Sequence, residues 1–308
     1  MQFEILGPVR VTVSGQAVRI GSARQRAVLG VLLLSAGRAV SVDRLIDAVW
    51  GDQPAESALN LVRTYVWRLR SLLSEDGETR LETEPAGYLL RVKPGELDLA
   101  EFERLVADGR AAMARGEAFA AARQLRGALD LWHGGPLEDV TLHGGDPLAE
   151  IMRLNEARVA TLEERIDADL ALGKAEELVG ELQQHAAQNP LRERLTGSLM
   201  LACYRSGRQA DALGAYRTLR TALIEELGLE PGPAIQELHE RILAADPDLR
   251  EGEVVPRRSA RHTPRQLPAA PRQFTGRADE VQALTALAEH GEEVRQEVFA
   301  GYGTGGQQ

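Results

Sequence analysis

The spacing of apolar residues changes twice within residues 1–95, and the order of those changes restricts what the chain can fold into. Phe3, Ile5, Val9, Val11 and Val13 alternate at period two, broken at Gly7-Pro8. Ser14-Gly15 reads as a turn and Ala17–Ile20 as a second short strand. The period then becomes helical. Ser22 is an N-cap type, and Ala27, Val28, Val31, Leu32 and Leu34 follow it until Gly37. Ser41 caps a second helix with Leu45, Ile46, Val49 and Trp50 on its buried side, stopped by Gly51. Pro54 and Glu56 open a third helix that runs to about Leu73. Alternation returns over Arg80–Val92: Leu81 and Thr83 lead out, and Tyr88, Leu90 and Val92 lead back around Glu84-Pro85-Ala86-Gly87. Strand, strand, three helices and a hairpin make a winged helix-turn-helix.

The third helix carries the chemistry. At 100° per residue, Leu59, Val62, Val66, Leu69 and Leu73 fall in one apolar sector. Asn60, Thr64, Trp67, Arg68 and Ser71 lie opposite, with Arg63 and Arg70 at one border. A polar helix face without a carboxylate suits a groove lined by phosphates and base edges, because Arg and Asn pair bidentately with bases. A solvated face that lacks acids by chance is the alternative.

Residues 98 to about 246 are rich in Ala, Leu, Arg and Glu, with few strand signals. Phe102, Leu105 and Val106 begin a helical pattern, and His133-Gly134-Gly135-Pro136 and His143-Gly144-Gly145-Asp146-Pro147 interrupt it. A long helix spans Leu148–Leu172. Gly173 and Gly207 are 34 residues apart, as are Leu170 and Tyr204, and similar helices follow each glycine. A 34-residue helix pair is the tetratricopeptide spacing. A third, partial unit starts at Gly116, and a generic array of helical hairpins has the same pattern. Such repeats commonly hold peptides or partner proteins.

Charge divides along the chain. Residues 1–95 hold 12 Lys/Arg against 10 Asp/Glu, and residues 96–246 hold 16 against 27. The net charge of −10 therefore sits in the middle, leaving a slightly basic front, and DNA binding needs only a local positive face. No apolar run approaches membrane-spanning length, and the N-terminus has no export pattern, so a cytoplasmic, nucleoid-associated location is expected. The single cysteine, Cys203, and the six scattered histidines offer neither a metal set nor a nucleophile–base pair. No enzyme activity and no cofactor are expected.

Four segments, in this order and spacing, resemble the Streptomyces antibiotic regulatory protein (SARP) family. They are Arg24-Gln25-Arg26-Ala27-Val28-Leu29, Asp43–Gly51, Thr64-Tyr65-Val66-Trp67-Arg68-Leu69-Arg70 and Gly87-Tyr88-Leu89-Leu90. Leu131-Trp132 with Gly134–Leu137, and Gly228-Leu229-Glu230-Pro231-Gly232, resemble the family's bacterial transcriptional activation domain. The resemblance covers roughly residues 1–246. It implies a mainly α fold: a response-regulator-type winged helix-turn-helix with small β-sheets over 1–95, then an all-α, tetratricopeptide-like activation domain over 96–246.

The resemblance further implies that helix 56–73 enters the major groove and that the wing at 83–87 approaches the neighbouring minor groove or backbone. By motif position, Asn60, Arg63, Thr64, Trp67, Arg68 and Arg70 belong to the recognition helix, and Arg24, Arg26, Thr83 and Arg91 to the backbone and wing contacts. Arg70 also suits a phosphate. The Trp67 ring suits sugars or thymine methyls, or packing on the wing. The implied function is activation of a secondary-metabolite gene cluster. It proceeds by binding direct repeats of double-stranded promoter DNA near the −35 region and recruiting RNA polymerase holoenzyme with its sigma factor. A homodimer or higher assembly on DNA is implied, with no membrane partner.

Residues 247–273 carry five prolines and six arginines and read as a linker. Phe274–Glu280 resembles the opening of a nucleotide-binding oligomerisation ATPase found in larger members, so 274–308 reads as its truncated start or as a tail. A phosphate-binding loop there would place Lys and Ser/Thr where Gln307 and Gln308 stand, so no ATP hydrolysis is expected. The rival functions are a nucleotide-controlled switch of the STAND type and a tetratricopeptide scaffold for partner proteins.

Overall fold

The structure is a computed structural model that describes residues 1–75 and 78–249. The readings for residues 250–308 lie outside it.

The chain opens with a three-stranded antiparallel sheet, β1 (Gln2–Glu4), β2 (Arg10–Val13) and β3 (Gln16–Ala17). Phe3 stands opposite Val11, and Val13 opposite Gln16 across the two-residue turn Ser14-Gly15. The second strand expected through Ile20 stops at Ala17. Val18 N–H still donates to Val11 O at 2.8 Å, but the chain then drops Ile20 into the core and turns into the first helix.

Helix α1 (Ala23–Leu34) starts where Ser22 Oγ accepts Gln25 N–H at 3.3 Å, and α2 (Val42–Trp50) where Ser41 Oγ accepts Arg44 N–H at 3.2 Å. Ala27 to Leu34 is buried on every side, so α1 is the central post against which α2 and α3 pack. Helix α3 (Ala58–Leu72) begins later than Pro54-Glu56 suggested. Ala58 N–H donates to Ala55 O at 2.8 Å, so the preceding residues form a turn, and Ser57 makes no side-chain cap.

Two short strand pairs follow. The pair β4 (Ser74–Glu75) and β5 (Glu78–Thr79) has no signal in the sequence, since two-residue strands carry no period. β6 (Leu81–Glu84) and β7 (Gly87–Leu90) form the expected hairpin, with Leu81 opposite Leu90 and Glu84 opposite Gly87. This wing is fastened to the turn before α2: Tyr88 N–H donates to Val40 O at 2.9 Å, and Val40 N–H to Tyr88 O at 2.8 Å.

The remainder is helical: α4 (Asp98–Ala114), α5 (Ala118–Asp130), α6 (Asp146–Ala171), α7 (Ala175–Gln188), α8 (Glu193–Arg205), α9 (Gln209–Leu227) and α10 (Pro233–Leu243). The 34-residue spacing is visible in the starts of α7 and α9 at Ala175 and Gln209, each two residues after its glycine. Among the described residues no helix is long and apolar enough to cross a membrane.

The winged domain is bonded to the helices behind it. Leu6 O accepts from His133 N–H at 2.9 Å, Ile5 O from Leu137 N–H at 3.0 Å, and Ala48 O from His143 N–H at 3.0 Å. Asp139 accepts Val9 N–H at 2.8 Å and pairs with Arg26 at 2.7 Å. Gly30 lets α1 approach this strap closely, since a Cβ there would lie 2.9 Å from Leu137 Cδ2. The core of the winged domain accordingly continues through Phe102, Trp132 and Leu137 to Leu154, and a second core runs from Ile166 to Leu249. The two cores part within α6.

Asp98, at the start of α4, accepts the amide protons of Ile5 and Leu6, both at 2.8 Å. Burial pushes its carboxyl up to about 6, against the pull of these bonds toward the charged form. Asp98→Ala orphans two partly buried donors and is expected to lower stability by about 2–3 kcal/mol, read as a lowered denaturant midpoint.

Candidate nucleic-acid interface

The exposed side of α3 is the surface the sequence singled out. Asn60, Arg63, Thr64, Trp67, Arg68 and Ser71 are all exposed, and no acid occurs along Ala58–Leu72. Trp67 is 68% exposed, so its ring does not pack on the wing. Thr64 Oγ donates to Asn60 O at 2.8 Å, which spends its hydroxyl proton within the helix and leaves its lone pairs outward. Among the described residues neither Arg63 nor Arg68 has a carboxylate partner, so two full charges stand on this face.

The buried side of α3 is rotated from its expected position. Leu59, expected inside, is 42% exposed, while Ala58 and Tyr65 are buried with Val62, Val66 and Leu69. Packing of Ala58 and Tyr65 against the core turns Leu59 outward beside Asn60 and Arg63. An apolar group there adds a contact of the kind a thymine methyl accepts.

The four expected backbone and wing residues, together with Arg70, occupy distinct settings. Arg24 is exposed, with its guanidinium 5.6 Å from the Trp50 ring centroid. Arg26 is held by Asp139 and by Gly21 O, to which its Nη1 donates at 3.1 Å; its charge braces the winged domain to the strap. Arg70 donates from Nε to Leu81 O at 2.9 Å and from Nη2 to the Thr83 hydroxyl, and lies 5.9 Å from the Tyr88 ring centroid. Arg70 and Thr83 thus join the helix to the wing. Arg91 forks onto Glu82, with Nη2 to Oε2 at 2.9 Å, and that pairing holds the Glu82 carboxyl below its usual range. Arg26, Arg70 and Arg91 are therefore engaged within the protein, whereas Asn60, Arg63, Thr64, Trp67 and Arg68 lie together and open.

These engagements had no signal in the sequence. Arg26 and Asp139 are far apart in the chain, and Arg70 meets Thr83 only because the hairpin folds back along α3. Among the described residues no group of His, Cys, Asp and Glu could hold a metal ion.

Known proteins share both domains of this chain. A model described as "Transcriptional regulatory protein, C terminal" matches residues 15–90, and one described as "Bacterial transcriptional activator domain" matches residues 97–243. The regulatory protein AfsR of Streptomyces coelicolor is 44% identical over 92% of this chain; the chain spans only 28% of that longer relative. The regulatory protein DnrI of Streptomyces peucetius is 40% identical over 83% of this chain and 97% of its own length. A solved structure of Mycobacterium tuberculosis EmbR, in complex with a low-affinity phosphopeptide, superposes with a TM-score of 0.76 at 35% identity, over 81% of this chain and 68% of that one. These matches are to transcriptional regulators and not to enzymes. With both domain models in tandem and relatives alike over most of its length, the chain belongs to the Streptomyces antibiotic regulatory protein family of transcriptional activators.

Proposed function

We propose that the open face of α3 reads base edges in the major groove of promoter DNA, with the β6–β7 wing over the adjoining minor groove or backbone. The observation that carries this reading is the pair of unneutralised arginines, Arg63 and Arg68, on an acid-free helix face beside Asn60, Thr64 and Trp67. Guanidinium groups in that setting pair with guanine O6 and N7, and Asn60 with adenine. Trp67 supplies a ring to sugars or thymine methyls. Arg24 serves a phosphate. Arg70 and Thr83 set the angle between helix and wing, and Arg26 and Arg91 reach phosphates only by exchanging their carboxylate partners for DNA.

In this reading the chain binds direct repeats near the −35 region as a homodimer or higher assembly. Its helical domain then recruits RNA polymerase holoenzyme through the sigma factor, in the cytoplasm at the nucleoid. Membership of the Streptomyces antibiotic regulatory protein family supports a secondary-metabolite gene cluster as the target. Footprinting of genomic promoter fragments, with and without polymerase, tests it: protection of paired direct repeats, extended when polymerase is added, is the expected pattern. Affinity should fall steeply with salt while sequence preference persists. Removing residues 250–308 should leave specific binding within about twofold, because the reading surface and its supporting core precede them; an electrophoretic shift assay on the truncated chain checks this.

A further inference from the structure

The helical part of the molecule holds a cleft of about 640 Å³ that the DNA-reading face does not use. It opens between α5, α6 and α7, over the part of α6 where the two hydrophobic cores separate. Its size is that of a small-molecule site. Leu129, Val159 and Leu162 give it an apolar wall.

The opposite wall is polar and carries both signs, Arg126, Arg158 and Arg165 with Asp130 and Glu181. The Arg165 side chain, 6% exposed, is paired with Asp169 at 3.2 Å and with Glu181. Arg126 reaches the same Asp169 from α5 at 2.8 Å. Each of those two guanidinium groups has a carboxylate partner; that of Arg158 does not. Its Nη1 donates to Gly134 O at 3.1 Å and its guanidinium stands 5.0 Å from the Trp132 ring centroid, which fixes its direction. No carboxylate among the described residues pairs with it, and a guanidinium has five N–H donors. Burial, with the charges of Arg165 and Arg158, holds the His185 imidazole below its ordinary range despite Glu181, leaving a neutral hydrogen-bonding group in the cleft. The exposed amides of Asn155 and Gln188 stand on the lining as well.

We infer that this cleft binds a small organic anion, its carboxylate or phosphate group on Arg158 and its apolar body on Leu129, Val159 and Leu162. Such a ligand touches α5, α6 and α7 at once and ties together the helices around the junction of the two cores. Binding therefore raises the thermal midpoint, and the rise continues with the logarithm of free ligand above the dissociation constant.

Benzoate and phenyl phosphate present one ring with the two headgroups, and inorganic phosphate lacks the ring. The full chain is titrated with each, reading intrinsic tryptophan fluorescence, to which Trp132 beside Arg158 contributes, and the thermal midpoint. A saturable response to benzoate or phenyl phosphate at about 1 mM or below is expected, at least about tenfold tighter than to inorganic phosphate; which of the two binds identifies the headgroup. Asn155→Asp and Gln188→Glu are near-isosteric changes at exposed lining positions that add a like charge. Each should weaken binding by about fivefold or more, and the pair together further. Arg153→Gln, on α6 but outside the lining, should leave binding unchanged. No saturable response to either ring-bearing anion, equal binding of inorganic phosphate, or binding indifferent to both acidic variants would overturn the inference.

Discussion

Arg63→Ala combined with Arg68→Ala is expected to abolish measurable sequence preference while the protein remains folded. Both side chains are exposed and make no ion pair with the described residues, so truncation removes no internal contact that holds the fold. On DNA each arginine that pairs with a base contributes roughly 1–3 kcal/mol of discrimination, and two at separate base pairs together amount to roughly 2–6 kcal/mol, or some 30- to 25,000-fold. Non-specific binding should fall less, because phosphate contacts elsewhere supply most of it. Competition shift assays with specific and scrambled duplex measure the ratio, and circular dichroism reports whether the fold is intact. A double variant that keeps its preference would remove both residues from the site.

The second large effect is on stability. Gly87 turns the chain from the wing tip into β7 with φ at +139°, where side chains are strained. A Cβ at this position would lie 2.0 Å from Val40 O and 2.8 Å from Ser41 Cα, both backbone atoms that cannot swing aside. Gly87→Ala is therefore expected to cost about 3–5 kcal/mol from strain and overpacking combined. The cost falls on the pairing of Tyr88 with Val40, which seats the wing against the start of α2. Thermal unfolding measures the loss, and amide exchange at Val40 and Tyr88 should accelerate before exchange within α1. Wild-type stability in the alanine variant would mean the wing is not seated as described.

Local chemistry makes part of this architecture legible in the sequence. Ser22 and Ser41 are side-chain caps, and the return of period two at Leu81 announced the wing. Gly173 and Gly207 carried the register of α7 and α9, because equal spacing needs no long-range information. Leu59 shows where periodicity fails: the same angular pattern fits two rotations of α3, and only packing of Ala58 and Tyr65 against the core selects one. The two-residue strands β4 and β5 are too short to carry a period. The strap that joins the domains works largely through backbone groups, such as His133 N–H on Leu6 O, and backbone groups are identical in every residue.

The candidate surface divides on the same line. Asn60, Arg63, Thr64, Trp67 and Arg68 follow from one helix face, and a helical angle places them together. Whether an arginine is available is decided by distant partners. Asp139 for Arg26, Glu82 for Arg91 and the hairpin for Arg70 take three cations that look equivalent in the sequence. Trp67, free to pack on the wing or to face outward, faces outward.

Dimethyl sulfate footprinting of the protein on a promoter fragment it binds gives the sharpest test, because the reagent methylates guanine N7 within the major groove. If α3 reads base edges there, specific guanines in each repeat are protected by the wild-type chain, and Arg68→Ala re-exposes one guanine per repeat while the rest of the footprint persists. Guanines equally reactive with and without bound protein, or protection that Arg63→Ala and Arg68→Ala both leave intact, would contradict the account.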